Sequence, residues 1–207
     1  MGEAARRIAW GDAEVMLAGA AESLITPLAF VGFGRIGQAL AKRALAFEMT
    51  VVAFDVADMR RPAARLGVSL VDMDTLFAES DFITLHPVLN DSTRGMINRD
   101  TLARMKAGAR LINAARGGLI VDGDLADAIK SGHIAGAALD VYSVEPPGEE
   151  NPLIGLPGVI HTPHLAASTA DAQVTIAMDA AEQALDAIQH GSYRNVINPI
   201  VLKEIYE

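Results

Sequence analysis

Two hydrophobic patterns alternate along the chain. Short apolar or β-branched runs bounded by Gly, Asp and other polar residues predict strands at residues 28–31, 50–54, 67–70, 82–85, 110–113, 134–139 and 159–161. Between them, apolar positions recur at helical spacing over residues 35–47, 72–78, 99–105 and 122–130, several opening on Asp or Asn, which cap helix N-termini well. The longest helical pattern, residues 169–190, is apolar at Val174, Ala177, Met178, Ala181, Leu185 and Ile188. An Ala-rich stretch over residues 4–19 predicts a further helix, weakened by Gly11, and Gly132 and Gly191 stand where helices should stop. Strands separated by helices of this size form βαβ units, so the expected fold is α/β, a doubly wound parallel sheet of the Rossmann-like kind. The run Pro146-Pro147-Gly148-Glu149-Glu150-Asn151-Pro152 reads as a turn-rich loop inside that fold, not a domain boundary.

Composition narrows the picture. The chain has 207 residues, 51% hydrophobic and 21% charged, which suits one large packed domain, or one with an extra piece. Its 17 Lys and Arg against 26 Asp and Glu leave a net charge of −9, so a basic footprint for nucleic acid or anionic lipid is absent. Without cysteine there is no disulfide framework, thiolate zinc site or cysteine nucleophile, and a reducing compartment, the cytoplasm, is expected. The most apolar segment, Leu24 to Phe33, is broken by Thr26 and Pro27 and is too short to span a bilayer. The first residues carry no apolar signal region, and Arg6 stands where a myristoylation site needs Ser or Thr.

The first chemical signal is Gly32-Phe33-Gly34-Arg35-Ile36-Gly37, which follows a predicted strand and opens a predicted helix. In that context the first glycine permits a tight turn, the second lets the backbone approach a pyrophosphate, and the third lets helix pack on strand. Asp55 ends the next predicted strand, 18 residues beyond Gly37. A carboxylate there accepts both ribose hydroxyls of an adenosine and repels a 2′-phosphate, favouring NAD over NADP, although Arg60 and Arg61 lie nearby. Taken alone, strand, glycines, helix and acid also suit a methyltransferase using S-adenosylmethionine.

Three further polar sites each follow a predicted strand, where ligands of open α/β sheets bind. They are Asn113-Ala114-Ala115-Arg116-Gly117-Gly118, Val144-Glu145-Pro146-Pro147 and His161-Thr162-Pro163-His164. A guanidinium can hold a carboxylate through two parallel hydrogen bonds, and a histidine oriented by a carboxylate can carry a proton at neutral pH. Together these are the parts for reducing a 2-oxo acid beside a nicotinamide. Each also has a plainer reading: Arg116 as a surface arginine, Glu145 as an exposed loop acid, His86, His133 and His190 as structural or solvated. His161 and His164 have no cysteine or carboxylate cluster beside them, so no metal is expected.

These motifs, with Leu85-His86-Pro87-Val88-Leu89-Asn90-Asp91-Ser92-Thr93-Arg94-Gly95, Ala138-Leu139-Asp140-Val141-Tyr142 and Asn151-Pro152-Leu153, resemble the D-isomer-specific 2-hydroxyacid dehydrogenase family from about Phe30 to Asn198. The resemblance removes the methyltransferase alternative, which has no use for the later motifs. It implies NAD as cofactor, with Gly32, Gly34, Arg35, Ile36 and Gly37 around the pyrophosphate and Asp55 on the adenosine ribose. His86, Pro87 and Ala114 would line the cofactor pocket, and Asp140 would meet the nicotinamide carboxamide. Arg116 would bind the substrate carboxylate and carbonyl, His164 would act as general acid/base, and Glu145 would be its carboxylate partner. Within the family the sequence looks most like the phosphoglycerate branch, through Val144-Glu145-Pro146-Pro147 and His164-Leu165-Ala166-Ala167-Ser168-Thr169 followed by Ala172-Gln173. Glyoxylate/hydroxypyruvate reductases share most of these motifs. The formate branch is disfavoured because it resembles a Gln–His pair where this chain has Glu145 and His164.

The resemblance also implies a division into an interdomain-type helix and lead-in (1–27), an NAD-binding domain (28–191) and a return segment (192–207). Family members build a separate substrate domain mainly from preceding chain, so nearly all of that domain, and with it one wall of the cleft, is expected to be missing. Ile25-Thr26, Ala29, Pro87 and Ala166-Ala167 depart from common family residues. A homodimer through the NAD-binding domain, including residues 4–19, is the expected assembly. The function expected is hydride transfer between NAD and a small 2-hydroxy or 2-oxo acid. The alternative is a non-catalytic NAD-binding module or sensor.

Overall fold

The computed structural model describes residues 27–196. The helix predicted over residues 4–19 and the end of the return segment lie outside the described residues. The chain divides into two units, Met1–Ala166 and Ala167–Glu207.

The first unit contains seven parallel strands: β1 (Pro27–Val31), β2 (Thr50–Phe54), β3 (Ser69–Leu70), β4 (Phe82–Leu85), β5 (Ala109–Asn113), β6 (Ile134–Leu139) and β7 (Val159–His161). Their order is β3-β2-β1-β4-β5-β6-β7. The chain winds outward from β1 to β3, then returns past β1 to β4, and this reversal is the switch point where open α/β sheets bind ligands. Helices α1 (Arg35–Ala46), α2 (Arg60–Leu66), α3 (Met73–Glu79), α4 (Arg99–Arg104) and α5 (Asp122–Lys130) make the crossovers. The Rossmann-like fold expected from the alternating pattern is the one formed.

Alternation within β1 shows why the sheet is covered on both faces. Leu28 and Phe30 enter a core with Phe33, Ala41, Ala44, Val51 and Ala53 under α1. Ala29 and Val31 enter a second core with Leu76, Phe77, Ile83, Leu85 and Leu111. A strand buried on both faces reads as a continuous apolar run, as Leu28-Ala29-Phe30-Val31 does.

Helix ends follow the expected chemistry. Asp72 caps α3 by accepting from the Thr75 amide at 2.7 Å. Asn98 caps α4 in a reciprocal box, since the Asn98 amide donates to Thr101 Oγ1 at 2.8 Å while the Thr101 amide donates to Asn98 Oδ1 at 3.2 Å. In the second unit, α6 (Ala170–His190) opens on Thr169, which accepts from the Ala172 amide at 3.1 Å, and closes on Gly191 at φ 61°. No helix among the described residues is long and apolar enough to cross a membrane.

Two local expectations change. Helix α2 was not foreseen, because Arg60-Arg61-Pro62-Ala63-Ala64-Arg65-Leu66 has no helical apolar stripe and contains a proline. Only Ala63 is buried, and Pro62 sits in the first turn, where its missing N–H costs no helical hydrogen bond. Strand β3 is shorter than residues 67–70, because Gly67 adopts φ 75° to end α2 and only Ser69 and Leu70 reach the ladder.

Leu111 lies fully buried in β5 between two paired strands. Leu111→Ala should cost about 2–5 kcal/mol. In urea denaturation the midpoint should fall at unchanged slope; an unchanged midpoint would contradict this core assignment.

Candidate active site at the carboxyl edge of the sheet

The ladder places the strand ends in one row: Val31 pairs with Phe54 and Leu85, Leu85 with Asn113, Asn113 with Leu139, and Leu139 with His161. Backbone bonds extend that row by one residue, from the amides of Gly32, His86, Asp140 and Thr162 to the carbonyls of Phe54, Val31, Asn113 and Leu139, at 2.7–3.0 Å. Residues far apart in sequence therefore emerge at one edge.

At the switch point, Gly32 takes φ 90°, and a Cβ there would come within 2.8 Å of the His86 carbonyl carbon and the Pro87 nitrogen. A Cβ on Gly37 would meet the Gly32 carbonyl oxygen at 2.7 Å, so this glycine lets α1 seat on the turn. Above Gly34 there is open space. Helix α1 starts at Gly34 with no side-chain cap and no acid in its first turn, and Arg35 and Ile36 are exposed there. Its amides thus face outward with the positive end of the helix dipole, the chemistry of an anion site.

Asp55 accepts from the Phe33 amide at 2.6 Å through Oδ2 and from the Ala57 amide at 2.8 Å through Oδ1. Each oxygen keeps a lone pair for a hydroxyl donor, and the carboxylate is fixed against the glycine turn. Arg60 is engaged elsewhere: its Nε and Nη2 donate to the two Asp58 oxygens at 2.8 and 2.7 Å.

The His86 side chain is partly buried. Its ring lies over Phe30, with centroids 5.8 Å apart and planes at 18°, and its Nε2 lies 3.1 Å from Thr84 Oγ1. Burial pushes its pKa down to about 4. The backbone of His86 and Pro87, not the imidazole, is what packs against Gly32.

The other end of the row carries the polar side chains. Asn113, fully buried, donates through Nδ2 to the Arg116 carbonyl at 3.0 Å and accepts from the Ala115 amide at 3.0 Å. This clamps the turn through Ala114 and presents Arg116 as an exposed guanidinium whose Nη1 donates to the Ala115 carbonyl at 2.6 Å. After β6, buried Asp140 accepts from Thr162 Oγ1 at 2.5 Å and the Leu165 amide at 2.7 Å through Oδ1, and from the Ala166 amide at 2.9 Å through Oδ2. That carboxylate binds the loop enclosing His164, which sits at φ 56°, a conformation uncommon for a residue with a Cβ.

His164 Nδ1 lies 2.7 Å from Glu145 Oε2, and Glu145 Oε1 accepts from the Tyr142 amide at 3.0 Å. The His164 hydrogen bond, then the Tyr142 amide, hold the Glu145 carboxyl below its usual range. The contribution of Glu145 to folding is therefore present above about 4.5, its ordinary value, and is lost as pH falls through the lowered one. The side chains remain 51% and 37% exposed, within reach of a ligand. His161 turns elsewhere, its Nδ1 lying 2.7 Å from the Tyr142 hydroxyl, so the two histidines do not converge.

The candidate cofactor and catalytic residues of the first unit thus lie at or beside one edge, with Glu145 and His164 in direct contact, whereas His133 precedes β6 at the opposite end of that strand and His190 ends α6 in the second unit. Arg116 makes no hydrogen bond to that pair among the described residues. The connection runs through Gly117, where a Cβ would collide with the Tyr142 carbonyl. Asn113, Thr162 and Tyr142, the residues that hold these loops, were not singled out. All three stand inside motifs named from the sequence, but no role was legible for them there.

A doubly wound sheet with a glycine turn at its switch point and an acid ending β2 defines a dinucleotide-binding domain, here with a carboxylate–imidazole pair on the same edge. The model of the family described as D-isomer specific 2-hydroxyacid dehydrogenase, NAD binding domain, matches residues 4–166, and the chain belongs to that family. It is 45% identical over 168 residues to a D-3-phosphoglycerate dehydrogenase of Archaeoglobus fulgidus, covering 81% of this chain and 32% of that protein. It is 48% identical over 164 residues to a hydroxypyruvate reductase of Thermotoga maritima, covering 78% of this chain and 53% of that protein. The crystal structure of a glyoxylate reductase from Paecilomyes thermophila superposes with a TM-score of 0.77 at 34% identity, covering 82% of this chain and 51% of that one. The chain spans about a third to a half of the length of these relatives.

Because desolvation lowers the His86 pKa to about 4, the unfolded chain takes up a proton below about pH 6.5 that the folded chain refuses until about pH 4. Stability should fall by about 2 kcal/mol between pH 6.5 and 5 from this group alone. Thermal or urea unfolding of the wild type and His86→Leu should show the excess slope only in the wild type; equal slopes would contradict the assignment.

Proposed function

We propose that this chain is the cofactor-binding and proton-transferring part of an NAD-dependent dehydrogenase acting on a small 2-hydroxy or 2-oxo acid of the 3-phosphoglycerate kind. The observation that carries it is the 2.7 Å His164–Glu145 pair, fixed by Asp140 on the same sheet edge as the glycine turn. The geometry of the turn fits the cofactor: open space over Gly34, uncapped amides at α1, and free lone pairs on Asp55. On this reading Gly32, Gly34, Arg35, Ile36 and Gly37 surround the pyrophosphate and Asp55 takes the adenosine ribose. Pro87, Ala114, Asp140 and the backbone of His86 border the nicotinamide end. When bound, NAD supplies or accepts a hydride.

The chain's own residues supply the rest. Arg116, exposed at the edge, pairs with the substrate carboxylate and draws charge onto the carbonyl oxygen. Glu145 occupies His164 Nδ1, so Nε2 is the nitrogen that delivers a proton to the carbonyl oxygen during reduction and removes it during oxidation. The asymmetric division of labour, a guanidinium for the carboxylate and an imidazole for the oxygen, is what reversible interconversion of a ketone and an alcohol needs.

Several finer readings go with this one. The division into lead-in (1–27), NAD-binding domain (28–191) and return segment (192–207) follows the family resemblance, as does a homodimer through the NAD-binding domain. The absence of cysteine supports a cytoplasmic setting. Similarity to a phosphoglycerate dehydrogenase and a hydroxypyruvate reductase supports the substrate class.

The test is NADH oxidation followed by absorbance with hydroxypyruvate, glyoxylate, 2-oxoglutarate and a phosphorylated 2-oxo acid. The expected result is turnover that His164→Ala lowers by about 10²–10⁴ while NADH affinity is unchanged. NADH binding with no turnover on any of these acids would contradict the dehydrogenase reading and leave a cofactor-binding module.

A further inference from the structure

We infer that Tyr142 is the positioning residue that keeps the segments carrying Arg116, Glu145 and His164 in mutual register, through its backbone for the first two and through a hydroxyl–imidazole hydrogen bond to His161 for the third. The inference rests on the dehydrogenase reading of this site.

Tyr142 lies two residues beyond Asp140 and is only 7% exposed. Three separate parts of it meet three separate loops. Its carbonyl packs on Gly117, the residue after Arg116, so closely that any side chain at 117 would drive the two apart. Its amide donates to Glu145 Oε1 at 3.0 Å, fixing the carboxylate that engages His164. Its hydroxyl lies 2.7 Å from His161 Nδ1 and only 3.4 Å from the Leu139 carbonyl, so the imidazole is its principal partner.

The third contact matters because little slack separates His161 from His164. His161 ends β7, Thr162 is tied to Asp140, Pro163 has its φ set by its ring, and His164 follows in the left-handed region. Asp140 secures the far side of this loop through the Leu165 and Ala166 amides. The Tyr142–His161 bond secures the near side.

The chemistry of the pair fits a fixed latch. Burial favours neutral His161, and its Nδ1 shares one hydrogen bond with the Tyr142 hydroxyl. Burial and then the charges of Asp140, Asp122 and Glu145 raise the Tyr142 phenol, which keeps its hydrogen. The rings lie 6.1 Å apart at 25°, so the hydroxyl is held by stacking as well as by the bond. A phenylalanine would fill the same volume and leave the backbone contacts in place. The hydroxyl therefore isolates the latch from the packing.

The experiment compares Tyr142→Phe, His161→Leu, His161→Asn and the double variant Tyr142→Phe/His161→Leu with the wild type. It reads kcat and KM for NADH oxidation, melting temperature, and the ring ¹⁵N spectrum of His164. The spectrum reports whether neutral His164 carries its hydrogen on Nδ1, as Glu145 dictates. Tyr142→Phe and His161→Leu should each lower kcat by about tenfold, with KM for NADH within about twofold. Both should convert His164 from the Nδ1–H form to a mixture of tautomers. His161→Asn, whose Oδ1 can take the place of Nδ1, should restore both properties. The double variant should be no worse than either single one, because all remove the same bond.

Melting temperatures that fall while kcat and the tautomer stay unchanged would overturn the inference, as would losses that multiply in the double variant. If the wild type turned over none of the acids, the dehydrogenase reading would fail by itself. The ¹⁵N spectra would then decide the positioning: an altered tautomer in both single variants sustains it, and an unaltered one overturns it.

Discussion

Everything that makes this chain chemically interesting depends on the register of its parallel sheet. Phe54, Val31, Leu85, Asn113, Leu139 and His161 stand in one row, and the next residue of each strand continues it. Asp55, Gly32, His86, Ala114, Asp140 and Thr162 consequently leave the sheet side by side, although more than a hundred residues separate the first from the last. Slipping one strand by a residue would move its site residue out of line and also turn its apolar positions to the wrong face. Burial on both faces of the sheet, seen in the division of β1 between two cores, is what makes such a slip costly.

A row of strand ends does not by itself hold side chains in place. Here the residues at the edge bind one another's backbones. Asp55 grips the glycine turn, Asn113 clamps the Arg116 turn, and Asp140 closes the His164 loop. Irregular backbone close to a buried sheet needs partners for its amides and carbonyls, and these side chains provide them. The same hydrogen bonds that satisfy the loops also orient the chemistry. Glycine enters where backbones must touch, at Gly32 against His86 and Pro87 and at Gly117 against Tyr142. A left-handed His164 is sustained because the loop on both sides of it is anchored.

The strands and most helices were legible because burial imposes strong patterns: continuous apolar runs for two-sided strands and 3.6-residue stripes for helices packed on one side. Helix α2 escaped because Ala63 is its only buried residue, so no stripe existed to read. The glycine turn and Asp55 were legible from spacing alone, as their geometry is local to one βαβ unit. The pairing of Glu145 with His164 lies 19 positions apart and depends on how β6 and β7 align, so the residues suggested the parts and the register supplied the contact. Tyr142 stands in the motif Ala138-Leu139-Asp140-Val141-Tyr142, yet its role was illegible for a different reason. An aromatic ring after a buried strand signals packing, and nothing in its neighbours announces that its amide, carbonyl and hydroxyl serve three loops.

The central claim is that one sheet edge carries a complete cofactor site, from the α1 turn through Asp55 to the Glu145–His164 end. Calorimetric titration of the chain with NADH and, separately, NADPH tests this most directly. The account predicts one NADH per chain, weaker binding of NADPH because Asp55 repels the added phosphate, and loss of that discrimination in Asp55→Ala. Absence of NADH binding, or equal affinity for both nucleotides in the wild type, would contradict it.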